Sequence, residues 1–239
     1  MSLPDLRTLN DLLLSRTPRE RVREVIDQFD RIGIAFSGAE DIMLVDLAVK
    51  ARKDVCVFTL DTGRLHPETY RFLEQVNAHY GIKIEVLFPE AVEVQQLVAT
   101  KGLFSFYKDG HSECCRIRKV VPLQKKLANL DAWLTGQRQD QSITRQALAI
   151  IEKDTQLGED RELIKVNPLF DQSSQAVWDY IRMMELPFNP LHQQGYVSIG
   201  CEPCTRPILP HQDAREGRWW WEEATHKECG LHATNTSAG

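Results

Sequence analysis

Apolar residues recur at roughly helical spacing through the first thirty positions: Leu12, Leu13 and Leu14, then Val22, Val25, Ile26 and Phe29. The spacing predicts two helices, the second opened by Pro18, whose fixed φ suits a first helical turn. The period then changes. Ile32-Gly33-Ile34-Ala35-Phe36 is a short apolar run that ends in a polar turn, Ser37 to Asp41, and Asp41 opens a helix-periodic stretch to about residue 51. The same unit repeats with Val55 to Leu60 as strand, Asp61-Thr62-Gly63 as turn, and Pro67 in the first turn of a helix. Ile82 to Phe88 reads as a third strand, followed by a helix from about Glu90. Ala132-Trp133-Leu134-Thr135 reads as a fourth, ending at Gly136.

Strands that alternate with helices predict an α/β fold, a mostly parallel sheet with helices on both faces. Ligands of such sheets sit outside the carboxyl ends of the strands. The turns Ser37–Asp41, Asp61–Arg64 and Gly136–Ser142 are therefore expected to share one edge. Past about residue 160 the pattern changes: Ser173-Ser174 caps a helix through Met184, and Pro187, Pro190, Pro203, Pro207 and Pro210 enforce a loop-rich course. Few large apolar residues follow Trp221. The expected organisation is a single α/β domain over 1–224 and a flexible C-terminal tail over 225–239.

The chain of 239 residues carries a formal charge of −5, which removes the electrostatic reason for non-specific nucleic-acid binding but leaves room for local basic clusters. It has no apolar run of the roughly 18–20 residues needed to cross a bilayer, and its first twenty residues lack a signal-peptide core. A cytoplasmic protein with no membrane partner is expected. Thiols there are kept reduced, so the six cysteines do not read as a disulfide framework.

Four cysteines form two pairs, Cys114-Cys115 and Cys201-Glu202-Pro203-Cys204. Four thiolates suffice for one [4Fe–4S] cluster or one zinc ion. A vicinal pair is awkward for one small tetrahedral ion, because structural zinc sites use C-x₂₋₄-C in both halves. Different irons of a cubane can each take one thiolate of such a pair, so the cluster is preferred. Arg116, Arg118 and Lys119 follow at once and can offset a cluster's negative charge; an ordinary charged helix face explains Arg116 and Arg118 equally well. Cys229 sits in the polar segment Glu228-Cys229-Gly230-Leu231-His232, where a thiol has little packing value. His232 reads as a backbone-positioning or exposed residue. Cys56, inside a predicted strand, reads as a buried core residue.

The combination of Cys114-Cys115, Cys201-x-x-Cys204 and Glu228-Cys229-Gly230-Leu231-His232 resembles the thioredoxin-dependent assimilatory adenylyl-sulfate reductases of the PAPS/APS reductase family. So do Ser37-Gly38-Ala39-Glu40-Asp41, Leu60-Asp61-Thr62-Gly63-Arg64, Lys101-Gly102-Leu103-Phe104, Arg118-Lys119 and Thr135 to Ser142. The cysteine set resembles the branch that carries a cluster and takes adenosine 5′-phosphosulfate. The resemblance implies a fold related to the adenine-nucleotide pyrophosphatases, whose Ser-Gly-Gly-x-Asp-Ser loop here has Ala39 for its second glycine and Ile42 for its final serine.

It further implies one [4Fe–4S] cluster per chain on Cys114, Cys115, Cys201 and Cys204, and Cys229 as nucleophile. Cys229 would attack the sulfur of adenosine 5′-phosphosulfate, expel AMP and form an S-sulfo cysteine, from which reduced thioredoxin releases sulfite. Lys119, Arg145, Arg215 and Arg218 are implied for the phosphosulfate, with Ser37, Leu60 and Gly136 as nucleotide contacts from the strand ends. Plainer readings stand beside these: a core leucine for Leu60, a strand-ending turn for Gly136, a solvated helix face for Arg215 and Arg218. Trp219 to Trp221 read as packing for that helix. The cluster is expected to organise the site and its electrostatics without net electron transfer. Competing functions are dual use of the 3′-phosphorylated substrate, a tRNA sulfur transferase of the pyrophosphatase class, and a zinc-stapled binding module. Homo-oligomer formation is left open.

Overall fold

A computed structural model of the chain describes residues 5–37, 40–142, 145–158 and 161–223. The predicted tail, with Cys229 and His232, lies outside the described residues. The N-terminal helices are α1 (Leu6–Leu14) and α2 (Pro18–Gln28). Thr17 and Glu20 close a reciprocal capping box around the start of α2, with Pro18 as its first residue. β1 (Ile32–Ala35), α3 (Ile42–Ala51), β2 (Cys56–Leu60), α4 (Pro67–Tyr80), β3 (Glu85–Leu87) and α5 (Ala91–Lys101) follow in the predicted alternation. Gly81, at φ 63°, ends α4 in the left-handed conformation that glycine adopts without penalty.

After a short α6 (Phe106–Asp109), one helical run is built of α7 (Ser112–Cys115), a π turn (Arg116–Val120) and α8 (Val121–Leu127). β4 (Ala132–Leu134), β5 (Ile151–Lys153), β6 (Ile164–Val166) and α9 (Ser174–Met183) complete the fold, and the Ser173 side chain accepts from the Ala176 N–H at the start of α9.

The six strands run in the order β3-β2-β1-β4-β6-β5. Every pairing is parallel except β5 with β6. One face is covered by α1 to α4 and α9 around a continuous apolar core that includes Leu13, Val25, Ile34, Leu44, Phe72 and Ile181. The other holds Phe58, Trp133 and Leu163 against Leu123 and Leu127 of α8. Among the described residues no helix is long and apolar enough to cross a membrane.

Four expectations need correction. β3 is shorter than Ile82–Phe88, because Ile84 turns into the core and its N–H is taken by the Asn77 side chain at 2.9 Å. β5 and β6 were not foreseen. Cys56 opens β2 and is only half-buried. No helix carries Arg215, Arg218 and the tryptophans: this stretch is a series of turns, and Arg218 and Trp219 are buried.

Candidate active site

The loops after β1, β2 and β4 meet at one edge of the sheet, as their polar turns predict, around a cavity of about 240 Å³. The first loop is shaped by Asp41. Its carboxylate does not cap α3 but turns back to accept the Ser37 N–H at 2.9 Å and the Ser37 hydroxyl. Gly136, after β4, packs directly on that carboxylate, and any side chain there would collide with it. Glu40 is buried and joins the loops to α9. It accepts from Arg138 and from Trp178 Nε1, the latter at 2.8 Å, while Arg138 also donates to Asp140 and Ser174. Burial pushes the Glu40 carboxyl up against the pull of Arg138 and Trp178.

The second loop turns at Gly63, φ 69°, where Asp61 accepts the Gly63 N–H at 2.7 Å and the Tyr70 hydroxyl at 2.9 Å. Burial first, then that contact with Asp61, pushes the Tyr70 hydroxyl up to about 12. From the same loop Thr62 reaches Cys201 Sγ at 3.2 Å and offers its carbonyl to Arg118 at 2.6 Å. The loop therefore joins the cavity to the cysteines.

Cys114, Cys115, Cys201 and Cys204 line a second, small pocket with Phe106 and Trp219. None is in a disulfide. The space between them is only about 10 Å³, so they present a donor set rather than an open cage. Among the described residues no three His, Cys, Asp or Glu side chains stand together as a single-ion site. Burial pushes the Cys204 thiol up to about 12; it also raises Cys114, against the pull of Arg118 and Arg64. The π turn places Arg118 and Lys119 inward between the two pockets while Arg116 stays exposed. A charged helix face thus describes Arg116 and fails for Arg118.

Ser37, Leu60, Lys119, Gly136, Arg145, Arg215 and Arg218 all line the larger cavity. Leu60 is partly exposed at the mouth of β2 rather than sealed in the core. Arg145 is tied to Gln141 of the loop after β4. Arg218 donates to Ser198 Oγ at 3.3 Å and to the Ile199 carbonyl at 3.4 Å. Among the described residues, buried polar atoms of the cavity wall without a hydrogen-bond partner include Gln137 Oε1, Arg138 Nη1 and Arg218 Nε. Glu40, Thr62 and Arg138 were given no role from the sequence, although each stood within a quoted motif. The arrangement offers an apolar slot of Phe58, Leu60 and Trp133 beside a wall of cations, which suits a purine nucleotide with an anionic tail.

Residues 31–207 match the family model described as the phosphoadenosine phosphosulfate reductase domain. The chain is 58% identical over 239 residues to the adenosine 5′-phosphosulfate reductase of Pseudomonas aeruginosa (strain LESB58), covering 98% of this chain and 90% of that protein. It is 52% identical to the chloroplastic 5′-adenylylsulfate reductase 3 of Arabidopsis thaliana, over 98% of this chain and 53% of that one. Among solved structures, the phosphoadenylyl-sulfate reductase of Candida auris, a phosphate complex, superposes with a TM-score of 0.72 at 27% identity, over 86% of this chain and 99% of that one. The FMN adenylyltransferase of Candida glabrata shares the fold at a TM-score of 0.54 and 12% identity, over 90% of this chain and 79% of that one.

Proposed function

The chain belongs to the phosphoadenosine phosphosulfate reductase family, and from that premise we propose that it reduces adenosine 5′-phosphosulfate to sulfite and AMP with electrons from thioredoxin. It is an oxidoreductase of sulfate assimilation. The observation that carries the reading is the cavity itself, where an apolar slot at the strand ends adjoins Lys119, Arg145, Arg215 and Arg218.

The adenine occupies the slot near Leu60, Ser37 and Gly136, and the four cations face the phosphosulfate. Planar guanidinium groups suit its oxygens and offset the charge that an incoming thiolate adds. The Cys229 thiolate attacks the sulfate sulfur, the bond from sulfur to the bridging oxygen breaks, and AMP leaves with that electron pair. A thioredoxin thiolate then attacks Cys229 Sγ and releases sulfite. The second thioredoxin thiol resolves the mixed disulfide, returning Cys229 as a thiol and leaving thioredoxin oxidised. This two-electron balance needs no other donor. The reducing cytoplasm suits both thiols.

A [4Fe–4S] cluster on Cys114, Cys115, Cys201 and Cys204 belongs to the same proposal. The donor set supports it: thiols from two distant segments share one pocket, with the buried cations Arg118 and Lys119 beside it. When bound, such a cluster would supply fixed negative charge next to the cavity and tie the segments together.

The test uses anaerobically purified protein and sulfur-labelled adenosine 5′-phosphosulfate without reductant. Intact mass and label are followed in the natural chain and in Cys229→Ser. A labelled S-sulfo adduct in the natural chain alone, discharged as sulfite by reduced thioredoxin, is expected. A cluster-replete protein that forms no adduct would remove Cys229 from the mechanism.

A further inference from the structure

The indole of Trp219 forms part of the wall between the larger cavity and the cysteine pocket. It is 1% exposed. Three cations lie over its ring, Arg215 and Arg218 from its own stretch of turns and Lys119 from the π turn. The guanidinium carbon of Arg218 is 4.5 Å from the ring centroid, that of Arg215 is 5.5 Å away, and Lys119 Nζ is 5.9 Å away. All three line the larger cavity.

The ring itself is held. His111 stacks on it with centroids 4.2 Å apart and planes 22° from parallel. Glu222 fixes His111 through Nδ1 at 2.6 Å and accepts its backbone N–H at 2.9 Å. Trp219 also has a left-handed backbone, φ 41°, a conformation that a bulky residue adopts only when its surroundings dictate it. Gly200 packs so closely on the Arg218 guanidinium that a Cβ there would collide with it. Gathering three like charges is unfavourable, and the negative face of an indole offsets that repulsion.

Resting on the phosphosulfate assignment above, we propose that Trp219 is a positioning residue: its ring face gathers Lys119, Arg215 and Arg218 where they meet the anionic end of the substrate. A ring that only filled space would leave the affinity for that end insensitive to the ring's electron density.

That difference is measurable. Tryptophan analogues with an increasing number of ring fluorines, placed at position 219 alone, keep the shape and N–H while weakening the negative face. Calorimetric affinities of the holoenzyme for adenosine 5′-phosphosulfate and for adenosine are compared along the series. The dissociation constant for the phosphosulfate should rise stepwise, to about tenfold at the end of the series, while that for adenosine stays constant. A flat series, or an equal rise for both ligands, overturns the proposal. Trp219→Phe, which keeps an aromatic face, should retain most of the preference that Trp219→Leu loses; equal losses in the two would also overturn it. The parent assignment fails separately, if Arg218→Met leaves the phosphosulfate affinity unchanged.

Discussion

Four arginines are almost wholly buried among the described residues, and they fall into two contrasting pairs. Arg21 and Arg138 are paired with carboxylates of the frame, Arg138 from the wall of the cavity. Arg21 holds both oxygens of Asp171, at 2.7 and 2.8 Å, and Arg138 holds Glu40 and Asp140. Arg118 lines the cysteine pocket and Arg218 the larger cavity, and neither has a carboxylate ion-pair partner among the described residues. They are met by carbonyl and hydroxyl oxygens, Arg118 also by the Cys114 thiol, and among the described residues the Nε of each has no partner. A buried cation without an anion costs several kcal/mol. In the frame that cost is offset within the chain. At the site, under the proposed function, a cluster on the cysteines beside Arg118 and the anionic end of the substrate at Arg218 would offset it.

The sharpest way to break this contrast is to remove Arg138. Arg138→Met leaves Glu40 buried beside an apolar side chain, and should lower unfolding free energy by about 3–5 kcal/mol. Adding Glu40→Gln should recover part of the loss, because the uncompensated charge is then gone. Urea denaturation of the two single variants and the double variant measures the coupling. If Arg138→Met is as stable as the natural chain, Arg138 does not belong with the frame.

Arg218→Met tests the opposite pole. The thermal midpoint should hold or rise, since a desolvated cation is replaced by an apolar group. The affinity for adenosine 5′-phosphosulfate should fall on the order of a hundredfold, the scale of hydrogen bonds to charged groups. Melting curves and calorimetric binding separate the two effects. A large drop in midpoint with unchanged affinity would place Arg218 in the frame instead.

The same division decides what could be read from the sequence. The frame was legible: β1, β2, β4, α3, α4 and α9 follow from periods of apolar residues and from Pro18, Pro67 and Ser173. The convergence of three turns at one sheet edge followed in turn from parallel topology. The site was legible only in part. Lys119, Arg215 and Arg218 were named through resemblance, but the burial of Arg218 was not foreseen, because no period marks a chain folded in turns. The π turn that brings Arg118 and Lys119 inward together leaves no trace in a helical pattern. Nor does sequence reveal that Trp219 meets His111 from a segment more than a hundred residues earlier.

His192 offers a milder test, because it remains inside by giving up its charge. It packs edge-on to Trp178, with ring centroids 5.0 Å apart, and its Nε2 has no partner. Burial pushes its imidazole down from 6.5 to about 4. The folded state thus prefers the neutral ring, and between those values the unfolded chain binds the extra proton. Stability from this source is complete above pH 6.5 and is lost as pH falls toward 4. At pH 5 the loss amounts to about 2 kcal/mol. His66 is shifted in the same direction by burial, and protonation of Asp171, whose carboxyl is held low, adds to the acid limb. The natural chain therefore weakens in acid for several reasons, and only a difference isolates His192. His192→Gln should narrow the gap between urea midpoints at pH 7 and pH 5. An unchanged gap in His192→Gln would mean that the ring accepts its proton without leaving the fold.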